Sequence, residues 1–467
     1  MPERLVVIGG DAAGMSAASQ ARRRRGAEDL EIVAFERGST TSYSACGIPY
    51  WIGDVVESRD ALITRTPQTF RNTFAIDVRI RTEVEEIDLD RREVRARDLE
   101  NGATYAVGFD SLLVATGSVP VRPPLPGIDA IGVYGVQVLD DGDALRAAVE
   151  AGARGAVVVG GGYIGIELAE ALTIRGVEVT LVEMAPEPMS TMDPDMGAMV
   201  RGVMNGLGIR IHSGERVAGI ETGPDNRVSA VVTDRRTIPT DLVVLGLGVR
   251  PNVALAQAAG ITCGPTGAIS TDLRMRTHVE GVWAAGDCVQ TYHLVSRMPV
   301  HIPLGTHANK QGRVAGINLG GGYATFPGVV GTAVSKVCSL EIARTGLKEV
   351  ECERAGFAYV TATVKSTTRA GYFPGATTIT TKMIAEKRSG RLLGGQIVGE
   401  EGAAKRIDAI ATALWNEMTV EDMANLDLSY APPFAPVWDP VLIAARKAWD
   451  AVEADVVAHP APASAVG

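Results

Sequence analysis

Short apolar runs that close into glycine turns recur along the chain. Residues 5–8 run into Gly9-Gly10, and residues 156–159 into Gly160-Gly161-Gly162. Each run is followed by helical periodicity, over 12–25 and 163–175, and then by a second apolar run, over 31–36 and 177–183. Such a succession predicts two βαβ units. Their start points lie 151 residues apart, which is a duplicated fold rather than a short tandem repeat. Ser111–Val114 and Leu242–Leu245 read as further strands, closing into Ala115-Thr116-Gly117-Ser118 and Gly246-Leu247-Gly248. A proline-rich link occupies 119–127. From about 325 to 441 the pattern changes to alternating strands with one helix over 403–418, which predicts a separate α+β domain. Residues 456–467 are rich in Ala and Pro and are expected to fray.

A chain of 467 residues is too long for one core. With 46% hydrophobic residues and 53 glycines it suits a turn-rich α/β protein. A net charge of −10 disfavours nucleic-acid and anionic-membrane partners, and no apolar stretch has membrane-spanning length. The five cysteines lack CxxC or metal-ligand spacing, so a reducing, cytoplasmic setting without a protein-bound metal is expected. The first strand begins within four residues of Met1, leaving no room for a signal peptide.

The glycine turns carry chemistry. Gly9-Gly10-Asp11-Ala12-Ala13-Gly14 and Gly160-Gly161-Gly162-Tyr163-Ile164-Gly165 have the form that brings a backbone against a pyrophosphate at a helix N-terminus. Glu36 follows Gly14 by 22 residues and Glu183 follows Gly165 by 18, both suited to a ribose diol. An acid at Glu183 accepts from a free 2′-hydroxyl and repels a 2′-phosphate, favouring NADH over NADPH. Asp11 stands where the pattern has its middle glycine. Cys46 lies ten residues beyond Glu36, at the mouth of the first crevice, where the dipole of a following helix would stabilise a thiolate. Two nucleotide sites and one thiol imply electrons passing from nicotinamide to flavin to sulfur.

At these residues the chain closely resembles the pyridine nucleotide-disulfide oxidoreductases, over nearly its whole length. It is most similar to their single-cysteine branch of coenzyme A-disulfide reductases, NAD(P)H sulfur reductases and NADH oxidases and peroxidases. The resemblance implies two Rossmann-like domains and a C-terminal α+β dimerisation domain. The FAD domain would be discontinuous (1–115 and 246–324), the NAD(P)H domain would span 116–245, the dimerisation domain 325–450, and a flexible tail 451–467. It implies FAD at Gly9, Gly10, Ala12, Ala13, Gly14, Glu36, Arg37, Ala115, Thr116, Gly117, Gly286 and Asp287, with Pro303, Leu304, Gly305 and Thr306 opening a helix beneath the flavin. NAD(P)H would bind at Gly160, Gly162, Ile164, Gly165 and Glu183, with Tyr163 gating its entry. Cys46 would be the redox sulfur, assisted across a homodimer by Tyr430 and Tyr372, which match tyrosines of coenzyme A-disulfide reductases. Arg22 and Arg23 are candidates for the coenzyme A phosphates, and Ser42 for the pantetheine arm.

Departures from the family narrow the choice. Gly47 to Trp51 offers no second cysteine, and no histidine lies between His307 and His459, so an internal dithiol cycle is excluded. Ala12 replaces the histidine of dedicated peroxidases, removing the group that would polarise a leaving hydroxide. No rhodanese-like module with a second reactive cysteine is expected after the dimerisation region. The expected activity is reduction of coenzyme A disulfide or a related small disulfide by NAD(P)H. The alternatives are persulfide, polysulfide or sulfur reduction, NADH oxidation, and, in a different class, a flavin-bound redox sensor or electron-transfer partner.

Overall fold

The computed structural model describes residues 2–458. β1 (Glu3–Ile8) leads through a glycine turn into α1 (Ala12–Arg22) and returns as β2 (Leu30–Phe35). β1 lies between β2 and the strand Ser111–Val114, all parallel, and Asp77–Arg79 and Val282–Ala284 form the sheet edges. These strands are near-continuous apolar runs because both faces are covered, and Val6, Val7, Leu112 and Leu113 are fully buried. After β2 the chain crosses the top of the sheet and forms a single 3₁₀ turn, Ala45–Gly47, followed by α2 (Ile48–Ile52).

The second unit repeats the plan. β3 (Gly155–Val159), α3 (Tyr163–Ile174) and β4 (Glu178–Glu183) build a five-stranded parallel sheet with Arg210–Ser213, Leu242–Leu245 and Val133–Tyr134. Each parallel sheet is accompanied by a three-stranded antiparallel one, starting at Thr82 and at Val217. Between the units, Ser118–Pro120 pairs antiparallel with Val249–Pro251. The chain then returns to the first unit and adds α4 (Gly305–Leu319) alongside α1. A Cβ at Gly312 would lie 2.3 Å from the Ala13 carbonyl oxygen, so only glycine allows this approach.

The C-terminal domain is a five-stranded antiparallel sheet ordered Ala333–Val337, Leu340–Gly346, Leu392–Gly399, Thr378–Glu386, Tyr359–Thr367. The helix α5 (Pro440–Ala458) packs on it, burying Val441, Ala445, Ala448 and Val452 at helical spacing. This corrects the expected tail: residues 451–458 are helix, and the remainder of that stretch lies outside the described residues. The helix expected over 403–418 is instead a 3₁₀ turn, Ala404–Arg406, and a helix Ile407–Trp415, after which Glu417 turns left-handed (φ 53°). α1 stops at Arg22, because the amides of Arg24 and Arg25 both turn back onto the Ala21 carbonyl.

The second unit is joined to the C-terminal domain by buried charge. Lys382 Nζ, on a side chain only 3% exposed, lies 3.2 Å from Asp193, 2.9 Å from Asp195 and 2.5 Å from Glu349. The Gln396 amide donates to Asp193 Oδ2 (2.6 Å) and its oxygen accepts from the Asp193 N–H (2.8 Å). Three carboxylates that could gather a cation thus already enclose an ammonium group.

Candidate active site

Both glycine turns open onto one cavity of about 2150 Å³, large enough for more than one cofactor-sized ligand. The turns superimpose in design. Gly9 and Gly160 both take positive φ (111° and 98°) directly after the strand. Glu36 Oε2 accepts from the Gly10 N–H (2.8 Å) and Oε1 from the Gly38 N–H (2.7 Å). Glu183 repeats this with Gly161 (2.6 Å) and Ala185 (2.7 Å). Each carboxylate is oriented by two amides and keeps lone pairs for a diol.

Of the residues singled out in the sequence, Gly9, Ala12, Ala13, Glu36 and Arg37 line the cavity on the first turn's side. Ala115, Thr116, Gly117, Gly286 and Asp287 line it beside them, as do Pro303, Leu304, Gly305 and Thr306 at the start of α4. Gly162, Tyr163 and Ile164 form the wall opposite. Gly10, Gly14, Gly160 and Gly165 shape the turns from behind, and Glu183 stands beyond the wall at the end of β4. Asp287 Oδ2 accepts from Ser118 Oγ (3.1 Å), and burial pushes its carboxyl above the usual range. The Gly286 N–H donates to Gln311 Oε1 (2.8 Å), which ties the Gly286-Asp287 turn to α4.

Cys46 faces this cavity from the 3₁₀ turn. Its loop is pinned to the first glycine turn. The Gly10 carbonyl accepts from Thr41 Oγ1 and from the Ser42 N–H (3.1 Å), and the Tyr43 N–H donates to Asp11 Oδ1 (3.2 Å). Ser42 lines the cavity with a left-handed backbone (φ 51°). From the second unit, α3 presents Tyr163 and, one turn on, Glu167 to the same space. Glu167 Oε1 accepts from Ser335 Oγ (2.7 Å), and burial raises its carboxyl. The i, i+4 relation to Tyr163 is the signal by which the sequence could have revealed Glu167.

The thiol is not poised as the sequence led us to expect. Burial pushes the Cys46 thiol up, and the carboxyl groups of Glu167, Asp287 and Asp11 add to this. The following helix has five residues and offers only a small dipole in compensation.

Polar side chains from two helices line the same cavity as the thiol. Ser16 and Gln20 lie one turn apart on α1 with Arg23 at its C-cap, and Asn309 and Arg313 on α4 line the same cavity, where Ser16 Oγ donates to Asn309 Oδ1 (2.7 Å). Arg65 lines the same cavity. Apart from Arg23, these residues were not singled out in the sequence, although Gln20 and Arg23 share a helix face with Ser16. Arg22 is turned away. Its guanidinium donates to the carbonyls of Arg25 and Ala75 (both 3.1 Å), because the last residue of α1 points across the helix end and not into the cavity. Tyr372 and Tyr430 do not line the cavity within one chain. They sit together on the surface of the C-terminal domain, exposed alongside Phe434, Val437 and Trp438.

Comparison with known proteins settles the family. The profile of the pyridine nucleotide-disulphide oxidoreductases matches residues 3–312, and that of their dimerisation domain residues 332–440. The chain belongs to this family. It is an oxidoreductase whose family uses FAD and NAD(P)H. It is 38% identical over 448 residues to the NAD(P)H coenzyme A polysulfide/persulfide reductase of Pyrococcus horikoshii, covering 96% of this chain and 98% of the relative. It is 28% identical over 447 residues to the coenzyme A disulfide reductase of Staphylococcus epidermidis, covering 95% and 99%. The solved NAD-dependent persulfide reductase from A. fulgidus superimposes with a TM-score of 0.93 at 40% identity, covering 97% of this chain and 84% of that one. Among the described residues of this oxidoreductase, no helix is long and apolar enough to cross a membrane.

Proposed function

We propose that this oxidoreductase uses NAD(P)H, with NADH preferred, to reduce the sulfur–sulfur bond of a coenzyme A-linked substrate through Cys46. The observation that carries this reading is that Arg23, Arg65 and Arg313 line the same cavity as the Cys46 thiol. Coenzyme A has several phosphoryl groups for these cations and a thiol end for Cys46.

The two turns fit the dinucleotides. Gly9 to Gly14 with Glu36 would hold FAD, and Gly160 to Gly165 with Glu183 would hold NAD(P)H. Bound FAD supplies the transfer of an electron pair from nicotinamide to sulfur. The Cys46 thiolate attacks the nearer sulfur of the substrate, forming a Cys46–S–S–CoA bond and releasing a thiolate or hydrosulfide. Two electrons then cleave the mixed disulfide, regenerating the Cys46 thiolate and a coenzyme A thiolate. His293 and His301 line the cavity but are engaged with backbone groups of Val295, Ser296 and Asp287, so Tyr430 and Tyr372 from the second subunit of a homodimer are the groups proposed to protonate the leaving sulfur. Their exposure beside Phe434 and Trp438 supports burial across such an interface. Five free cysteines fit a reducing compartment, and we place the enzyme in the cytoplasm.

Persulfide or polysulfide reduction uses the same residues, and the higher identity to the persulfide reductases supports it as the second reading. NADH consumption by wild type and Cys46→Ser with coenzyme A disulfide, coenzyme A persulfide, cystine and dioxygen tests the proposal. Both coenzyme A substrates should be consumed, and the substitution should abolish this while sparing any slow oxygen reaction. Activity that survives Cys46→Ser would refute the thiol relay, and uniformly slow turnover would favour a redox sensor.

A further inference from the structure

The first glycine turn carries a carboxylic acid, Asp11, where the second carries Gly162. Asp11 and Gly162 both end their turns as the residue before the helix, with similar extended backbones (φ −115°, ψ −150° and φ −75°, ψ −174°). A Cβ at Gly162 would meet nothing nearer than the Gly246 oxygen at 3.9 Å. It would point into the open space where a Rossmann turn receives a pyrophosphate. In the first turn that direction carries a carboxyl group.

Asp11 is not engaged as a helix cap. Its side chain makes no capping hydrogen bond to the N2 or N3 amide of α1, lines the cavity, and is held by the Tyr43 N–H at 3.2 Å. The ionisable groups facing it are Glu36 at the end of β2, Asp287 on the turn before α4, and Tyr43 and Cys46 in the cysteine loop. None of these is a cation. Burial, with Glu36 and Asp287 adding to it against the amides of Tyr43 and Ala12, pushes the Asp11 carboxyl up to about 7. A diphosphate brought against it adds further negative charge in the same direction.

We propose that Asp11 meets the flavin diphosphate as a neutral acid, so that FAD uptake by this chain takes up one proton. The inference rests on the first turn being the FAD site. The proton comes from solvent as the cofactor enters and returns as it leaves. In the acid form the carboxyl donates to a phosphate oxygen, and in the ionised form it repels it. FAD affinity is therefore insensitive to pH below the carboxyl's pKa in the empty site. It then falls by up to about tenfold per pH unit above it, until the pKa of the bound form is reached.

The test dilutes the full-length holoenzyme to equilibrium between about pH 6 and about pH 9 and reads released FAD by fluorescence. It compares wild type with Asp11→Asn and with Asp11→Gly, the residue the second turn already carries. The wild-type dissociation constant should rise across this range while both variants stay flat. The infrared difference between wild-type and Asp11→Asn holoenzyme should show a protonated-carboxyl band at mildly alkaline pH. Parallel pH profiles in all three proteins, or no such band, overturn the role of Asp11. Protein that takes up no FAD even at the acid end overturns instead the assignment of the turn to FAD.

Discussion

Replacing Glu183 with Gln isolates the nucleotide preference. The carboxylate is 9% exposed and spends one lone pair of each oxygen on the N–H groups of Gly161 (2.6 Å) and Ala185 (2.7 Å). What remains is the acceptor capacity proposed to meet the ribose. Gln offers one oxygen where two are needed, and its NH₂ meets a backbone N–H, so the side chain must rotate out of register. A hydrogen bond to a charged acceptor contributes about 1.5–3 kcal/mol, so the KM for NADH should rise roughly 10- to 150-fold. The repulsion against a 2′-phosphate disappears at the same time, so NADPH should gain or hold its kcat/KM. The selectivity ratio should fall toward parity. The assay is kcat/KM for both nucleotides at saturating coenzyme A disulfide, with bound FAD measured in parallel. FAD content should be unchanged, because Glu36 repeats the same device independently. A KM for NADH within twofold of wild type, or a ratio still favouring NADH unchanged, would show that the ribose is not held here.

Other substitutions probe the cavity cations and the domain joint. Arg23→Ala should raise the KM for coenzyme A disulfide about tenfold and leave that for cystine alone, whereas Arg22→Ala, which removes only contacts to Arg25 and Ala75, should change neither. Equal effects of the two substitutions would detach coenzyme A from α1. Lys382→Met leaves the carboxylate of Asp193, itself 3% exposed, without its counter-charge. It should cost about 3–5 kcal/mol in denaturant unfolding, and a loss below about 1 kcal/mol would show that the Gln396 amide and the Glu349 N–H between them satisfy that carboxylate.

Both βαβ units, their two glycine turns and the acids at Glu36 and Glu183 were legible in the sequence. They rest on local rules: strand-length apolar runs, helical periodicity, and turns that need glycine at a fixed offset. The place of Cys46 beside the first glycine turn was legible for the same reason, since a motif is a statement about neighbours in the chain. The C-terminal helix was obscured because alanine-rich composition resembles a loose tail until Val441, Ala445, Ala448 and Val452 are seen to share one buried face. Tertiary structure alone decided how the units meet. Folding partly buries the Cys46 thiol and brings Glu167 from α3 and Asp287 from before α4 to the cavity it faces, and burial, with those carboxyl groups adding to it, pushes the thiol up. It likewise turned Arg22 away while leaving Arg23 on the cavity wall, a choice made by one helical step of 100° that composition cannot express. Charge and side-chain direction are properties of the assembled space, whereas turns and periodicities belong to the chain.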